Sequence, residues 1–457
     1  MPSVNAEIFR EYDIRGVVDE DLDFSLIRAI GRAIGTYLHT GDGTTFAVGR
    51  DIRLSSPALR VSLIDGLRAT GAQVSDVGVV PTPVLYFAAL HLKTDGAVMV
   101  TASHNPPEFN GFKICRGMDS LAGDEIRSLV GIIENRAFVQ GNGRAVRVEV
   151  LDAYRKMLAS KFSFERPLKV VVDGGNGTSG ELAAEVLESF GHRVFPLYCE
   201  PDGHFPNHHP DPSNPENLKE LIETVRKEGA DLGLAFDGDG DRLGVVDERG
   251  EILWPDEQMI LFARDVLSRR PGAAIVFEVK CSMNLIRAIE EAGGRPVMWK
   301  AGHSLIKKKL KEEDAPLAGE YSGHTFFADD YFGYDDALYA ALRLMDLRAR
   351  ADAPLSSLLA DVPRLYASPE IKLGCPDDQK FDVVRGLRDR LEGRYPLVTI
   401  DGVRADFGDG WALVRASNTT PALTLRFEAT TAERLEEIRK EFLGHLKAFP
   451  QVEGVDA

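Results

Sequence analysis

Residues 97–114 read AVMVTASHNPPEFNGFKI. The run Ala97–Val100 has the length and apolarity of a buried strand, and it stops abruptly at Thr101, Ser103, Asn105, Pro106 and Pro107. Thr101–Ile114 therefore reads as one loop, with Ser103 predicted at a strand tip. Two adjacent prolines fix backbone angles and lower the entropy of the open chain, so this loop can present one hydroxyl in a set direction. Such presentation suits a nucleophile, with His104 and Lys113 as candidate proton-transfer groups or phosphate-facing cations and Gly111 allowing backbone close to a ligand. A plain proline-rich turn has the same local sequence, so the rest of the chain decides between the two readings.

Working outward, the strand that ends in a polar loop recurs. Thr45–Val48 is an apolar strand followed by Gly49, Arg50 and Asp51; Ser55, Ser56 and Pro57 then start a helix towards Gly71, a second strand spans Gln73–Val79, and Ala97–Val100 delivers the Ser103 loop. Lys169–Asp173 opens a second copy, with a turn at Gly174–Gly177, a helix to Phe190, a strand from Arg193 and a late strand Ala230–Phe236 that delivers DGDGDR, Asp237–Arg242. A third copy has Ala274–Val279, Lys280, a helix to Gly293 and Gly294, the strand Pro296–Trp299, and Leu317–Ala318 delivering GEYSGH, Gly319–His324. Alternating strands and helices predict α/β domains with mixed, largely parallel sheets and ligand loops beyond the carboxyl ends of their strands. The expected units are residues 1–149, 150–252 and 253–365, with three loops aimed at one cleft. A different pattern occupies 366–457, with strands at Leu397–Ile400, Val403–Phe407, Ala412–Arg415 and Ala422–Phe427 and a charged helix Ala432–Leu446, which predicts a small α+β domain. Between its last two strands, RASNTTP, Arg415–Pro421, offers a guanidinium and several hydroxyl and amide groups, suiting either a phosphate cradle or a polar hairpin turn.

The chain of 457 residues is long enough for three to four cores, and 44% hydrophobic with 27% charged residues is ordinary for a folded protein. Its formal net charge of −17 gives no global support for a nucleic-acid or anionic-membrane partner, so an anionic ligand needs a local basic site. Cys115, Cys199, Cys281 and Cys375 are far apart, without metal-ligand spacing, and read as reduced thiols. MPSVNAEIFREYDIRG has charges where a signal peptide needs an apolar core, and no apolar run approaches the ~18 residues of a membrane span, so a cytoplasmic enzyme is expected.

DGDGDR carries Asp237, Asp239 and Asp241 at every second position, with glycines that let the backbone wrap a small cation; hard oxygen ligands favour Mg2+ or Ca2+. The spacing also matches a calcium loop with Glu248 at its twelfth position, but Arg242 stands where that loop needs glycine and strands, not helices, flank it. Three carboxylates with one oxygen of a phosphorylated Ser103 make a sensible Mg2+ shell. Gly175, Gly177 and Gly180 satisfy GxGxxG, with Glu200 20 residues further on, which raises a dehydrogenase; the other two copies lack the glycines, so these read as turn and packing residues. In GEYSGH, Glu320 and Ser322 beside His324 suit vicinal sugar hydroxyls, while His303 precedes the basic run Lys307–Lys309.

TASHNP, DGDGDR, GEYSGH and RASNTTP, in this order and spanning nearly the whole chain, resemble the α-D-phosphohexomutase family, most closely its phosphomannomutase/phosphoglucomutase branch. The resemblance implies four domains around a central cleft, three of them related α/β units and the last similar to TATA-binding-protein folds. It implies that Ser103 is the phosphoserine, that Asp237, Asp239 and Asp241 hold Mg2+, and that Glu320 and Ser322 hold sugar hydroxyls. Arg415, Ser417, Asn418 and Thr419 then cradle the non-reacting phosphate, helped by Tyr12 and Lys280. Arg15, His104, Lys113, Arg242, His303 and His324 line the reaction centre, with Lys113 the expected general acid/base and Arg15 and Arg242 steadying charge. Ala102 stands where the family often has glycine. The implied reaction interconverts hexose 1- and 6-phosphates by two phosphoryl transfers through glucose 1,6-bisphosphate or its mannose counterpart, as a monomer or small homo-oligomer. A phosphoglucosamine mutase is the near alternative, although its pattern has glutamine where GEYSGH has Tyr321; a non-catalytic sugar-phosphate sensor is the other.

Overall fold

Gly96–Val100 forms a strand buried along its whole length, between Thr45–Arg50, parallel to it, and Phe109–Arg116, antiparallel to it. Burial on both faces is why its sequence runs apolar instead of alternating. The computed structural model describes residues 5–41, 43–417 and 420–455. In the second unit Leu232–Phe236 lies in the same way between parallel Lys169–Asp173 and antiparallel Leu243–Asp247. In the third, Leu317–Gly319 lies between parallel Ala274–Glu278 and antiparallel Thr325–Phe327. Each opening strand pairs on its other side, in parallel, with the next strand of its unit, Gln73–Val79, Arg193–Leu197 or Arg295–Trp299. The repeated unit expected from sequence is thus one strand order used three times, return, late, opening, second.

The return strands correct the sequence reading of 101–114 as a single loop. Phe109–Arg116 is a strand in which Lys113 stands opposite Met99, and only the segment before it is the hairpin tip. All three polar motifs are such tips, at the carboxyl ends of the late strands. A tip between two buried strands is held at both ends.

The helix Thr82–Leu92 is buried over its first two turns on every side, in keeping with its almost wholly apolar sequence. Val84, Leu85 and Phe87 share one continuous core with Val170 and Phe236 of the second unit and Phe262 and Leu317 of the third. The three units therefore pack as one body, which fixes the relative positions of their tips.

The last domain is an antiparallel sheet, Leu397–Val398, Val403–Asp406, Gly410–Ala416 and Ala422–Ala429, with Tyr366–Ala367 and Ile371–Gly374 both paired to its final strand. These two short strands and the helix Lys380–Leu391 were not read from the sequence. Val383, Leu387, Ile438 and Phe442 of its helices cover one face of the sheet. The other face docks on the third unit: Trp411 and Leu413 pack on Val279, Arg404 stacks 3.8 Å over the Trp411 ring and donates to the Cys281 carbonyl at 2.8 Å, and Arg426 lies 3.5 Å over Tyr321. This docking turns Arg415 towards the cleft. Among the described residues no helix is long and apolar enough to cross a membrane.

Candidate active site

The three tips meet in space. Thr82 ties the first unit to the second tip, its N–H donating to the Asp239 carbonyl at 2.8 Å and its hydroxyl to Asp239 Oδ2 at 2.6 Å. Arg242 and His324 form an isolated antiparallel bridge, and the Leu243 N–H donates to the Gly323 carbonyl at 3.2 Å, which ties the second tip to the third. Glycine is required at 238, where a Cβ would lie 2.4 Å from the Ser103 carbonyl oxygen.

Ser103 has φ 52°, in the left-handed region that few residues other than glycine adopt. Its hydroxyl donates to Asp237 Oδ2 at 2.6 Å, and His104 Nδ1 lies 3.1 Å from Ser103 Oγ. Asp237, Asp239 and Asp241 are fully buried, and one carboxylate oxygen from each lies within 4.8 Å of the others. Asp237 Oδ1 accepts the N–H groups of Gly240, Asp241 and Arg242, at 3.0, 3.1 and 3.2 Å, which closes the turn. Burial, and then the Asp241 and Asp239 carboxylates, push Asp237 well above the ordinary carboxylate range. Asp239 Oδ1 is buried and accepts no hydrogen bond. Crowded carboxylates with an unsatisfied oxygen fit a hard divalent cation, which relieves their repulsion and takes the free lone pairs.

Lys113 reaches this cluster from the return strand, its ammonium donating to Asp239 Oδ2 at 2.7 Å and to Asp241 Oδ2. Burial opposes its charge, but Asp239, Asp241 and Asp237 outweigh burial and hold the ammonium well above its usual range. In this arrangement Lys113 stands as a counter-charge to Asp239 and Asp241.

The imidazoles divide by charge. Burial and the Arg242 and Arg15 guanidinium groups push His104 well below its ordinary value, and burial with Lys113 and His324 does the same to His303. His324 is also buried, which opposes its charge, but Asp241 raises it to about 10. Its Nε2 lies 3.3 Å from Asp241 Oδ1, and its Nδ1 lies 3.1 Å from Glu320 Oε2 and 2.9 Å from Ser322 Oγ. His303 stacks on it with ring centroids 5.5 Å apart. Arg242 lies 3.5 Å from His104 Nε2, and Arg15 donates to Asn105 Oδ1 at 2.5 Å and pairs with Asp13.

At the far end of the cleft Arg415 Nε donates to Asp401 Oδ2 at 3.0 Å. Lys280 pairs with Glu370 at 3.0 Å and Glu278 at 3.4 Å. Lys380 braces the RASNTTP hairpin by donating to the Ser417 and Thr420 carbonyls. Tyr12 donates to the Ala301 carbonyl at 2.8 Å, and the Gly302 N–H donates to Glu320 Oε1 at 2.5 Å. Asn418 and Thr419 lie outside the described residues. Every other residue expected from the resemblance to act in catalysis or substrate binding lines one cleft of about 1660 Å³, and the three aspartates are fully buried against Ser103 and Lys113. Arg53, Thr82, Lys380 and Asp401 belong to the site's framework and carry no motif by which sequence could have flagged them.

The family models for phosphoglucomutase/phosphomannomutase match this chain in four consecutive stretches: alpha/beta/alpha domain I at residues 6–140, domain II at 152–250, domain III at 254–366 and the C-terminal domain at 370–445. Among curated relatives, the phosphomannomutase/phosphoglucomutase of Pseudomonas aeruginosa is 51% identical over 448 residues, 98% of this chain and 97% of the relative. A phosphoglucomutase of Neisseria gonorrhoeae is 43% identical over 457 residues, 99% of each chain. The crystal structure of a phosphoglucomutase/phosphomannomutase family protein from Burkholderia thailandensis superposes with a TM-score of 0.92 at 46% identity, covering 97% of this chain and 98% of that one. With three hairpin tips and a fourth domain that carries Arg415 around one cleft, and family models matched along almost its whole length, the chain belongs to the phosphoglucomutase/phosphomannomutase family of α-D-phosphohexomutases.

Proposed function

We propose that this protein interconverts the 1-phosphates and 6-phosphates of glucose and mannose, with Ser103 carrying the transferred phosphoryl group. The observation that supports this reading best is the Ser103 hydroxyl held 2.6 Å from Asp237 and 3.1 Å from His104 at one end of a cleft whose other end carries Arg415 and Lys280. One end transfers a phosphoryl group and the other holds one. A hexose phosphate engages both, whichever position bears its phosphate.

Mg2+, held by Asp237, Asp239 and Asp241 with an oxygen of Ser103, supplies neutralisation of the charge on the transferring group when bound. The chain's own residues do the rest. In the first transfer the phosphoserine P–Oγ bond breaks as a sugar hydroxyl oxygen bonds to phosphorus, and the departing Ser103 Oγ takes up a proton on the side of His104 Nδ1, 3.1 Å away. The hydroxyl proton passes to the His303–His324 pair, of which the first is held neutral and the second cationic beside Glu320 and Ser322. In the second transfer the Ser103 oxygen bonds to the phosphorus of the other phosphate, its proton passing to His104 Nδ1, while the departing sugar oxygen regains a proton from the histidine pair. Lys113, Arg15 and Arg242 steady the charge on the moving group. The hexose 1,6-bisphosphate between the two transfers must turn end for end, and a cleft of about 1660 Å³ leaves space for this.

Turnover of glucose 1-phosphate, mannose 1-phosphate and glucosamine 1-phosphate under Mg2+, with a trace of glucose 1,6-bisphosphate, tests the reading. Conversion of the first two is expected. Failure to convert any of the three, or conversion of the glucosamine phosphate alone, overturns it.

A further inference from the structure

Arg53 is 0% exposed, yet its charge is directed at the backbone of one loop. Its Nη2 donates to the carbonyls of Ser103 at 2.7 Å and Asn105 at 2.6 Å, and its Nη1 to those of Pro106 at 2.6 Å and Phe109 at 3.1 Å. Nε lies 3.2 Å from Asp51 Oδ2. Asp51 is fixed in turn, accepting the Arg53 N–H at 3.1 Å and the Ser56 hydroxyl at 2.5 Å, and Asn110 Nδ2 donates to Ser56 Oγ at 2.9 Å. The guanidinium also stacks 5.3 Å over the Phe205 ring, so a second unit closes the pocket around it.

The tip needs such a partner. It leaves the sheet after Val100, two of its residues are prolines, and its carbonyls have no strand ladder to enter. A planar fork of donors satisfies several carbonyls at once and fixes their directions, which a point charge does not. Turning those carbonyls inwards sets the peptide plane that follows Ser103, the residue with φ 52°. A left-handed serine is costly and persists only where its surroundings dictate it.

We propose that Arg53 is a positioning residue for phosphoryl transfer: by gathering the carbonyls of Ser103, Asn105, Pro106 and Phe109 it holds the strained tip in the conformation that aims the Ser103 hydroxyl at Asp237. Arg53 does not line the cleft and makes no hydrogen bond to the three aspartates, and it acts through the loop alone. The inference rests on the reading of Ser103 as the phosphoryl carrier. If Arg53 only filled the core, its loss would lower the melting temperature and leave turnover per folded molecule unchanged.

Two variants of the full-length protein separate these roles. Arg53→Lys keeps the charge beside Asp51 but loses the fork; Arg53→Met with Asp51→Asn removes both members of the buried pair, so no uncompensated charge remains to block folding. For each, kcat and KM for glucose 1-phosphate are measured on folded protein, with intact mass after glucose 1,6-bisphosphate to follow phosphate on Ser103. The expected result is a fall in kcat of about 10- to 100-fold, the scale of a misplacement near 1 Å, with KM within about threefold and phosphate uptake by Ser103 slowed by the same factor as kcat. A kcat within about threefold of wild type in either folded variant, or a KM effect that exceeds the kcat effect, overturns the proposal. Wild-type protein that turns over without phosphate on Ser103 overturns the reading of the serine itself, and the two failures are told apart by that control.

Discussion

Asp401 Oδ2 accepts the Nε–H of Arg415 at 3.0 Å, and the same oxygen accepts the Ala301 N–H at 3.0 Å. One carboxylate oxygen thus joins the last domain to the third unit, while Tyr12 of the first unit holds the Ala301 carbonyl. Arg415 is oriented before a phosphate arrives. Pre-orientation lowers the entropy cost of binding without adding a contact to the ligand. Arg415→Ala is therefore expected to weaken phosphosugar binding by about 1.5 to 3 kcal/mol, the range for a charge-assisted contact, and to leave Mg2+ affinity unchanged. Asp401→Ala acts in the same direction by about 1 kcal/mol. Titrations of hexose phosphate and of Mg2+ check both, and equal losses of sugar and metal binding would contradict them.

Glu320 spends both oxygens on the framework, accepting the Gly302 N–H at 2.5 Å and lying 3.1 Å from His324 Nδ1. Glu320→Ala should therefore impair glucose and mannose phosphates alike, since a displaced loop and an unanchored imidazole serve either sugar equally. The kcat/KM ratio of the two sugars is the measurement. A change in that ratio beyond about tenfold, or 1.4 kcal/mol, would mean that Glu320 reads the 2-hydroxyl.

The strands that carry the site were legible because burial on both faces leaves them apolar, and the tips were legible because each is a contiguous run of unusual residues. What escaped lacks both signals. Phe109–Arg116 contains Asn110, whose amide holds Ser55 and Ser56, Gly111, which packs against the Ile14 backbone, and Lys113, which enters the site, and these break the pattern that would mark a strand. Tyr366–Ala367 has two residues and Ile371–Gly374 four, too few for periodicity to register. Arg53 meets Ser103 across 50 positions, and Asp401 meets Ala301 across 100. Such residues acquire their meaning only when the chain closes, and nothing around them in sequence marks the partner.

His208 Nε2 lies 3.1 Å from each oxygen of Asp173, a buried carboxylate at the start of the GGNG turn. Burial opposes the histidine's charge, but the hydrogen bond and charge of Asp173 outweigh it and raise its pKa. A raised folded value means that the native state binds the proton more tightly than the unfolded chain. The stabilisation is fully present below the unfolded value near 6.5, and it is lost as pH rises through the higher folded value. The unfolding free energy lost on His208→Gln should thus be larger near pH 5.5 than near pH 9. Denaturant titrations at the two pH values test the sign, and an equal loss at both would refute it.

Phosphorylation of Ser103 has two consequences at one atom. The Ser103 hydroxyl now caps Asp237 Oδ2 at 2.6 Å, and a phosphoserine has no hydrogen on Oγ to donate. The modification also places close to two negative charges beside three buried carboxylates, one of them already pushed upwards by burial and by its neighbours. The uncapped, more anionic cluster should bind Mg2+ at least tenfold more tightly than the unmodified one, a difference of about 1.4 kcal/mol. Protein stripped of phosphate should be nearly idle on glucose 1-phosphate, and a trace of glucose 1,6-bisphosphate should restore it after a lag by donating to the free hydroxyl and leaving as a monophosphate. Ser103→Ala should show no such recovery and no change in Mg2+ affinity after the same treatment. Intact mass, turnover and Mg2+ titration on the two proteins decide the matter together. Full activity from phosphate-free protein without added bisphosphate would remove Ser103 from the reaction. Equal Mg2+ affinity with and without the phosphate would show instead that the three aspartates bind the cation independently of the serine.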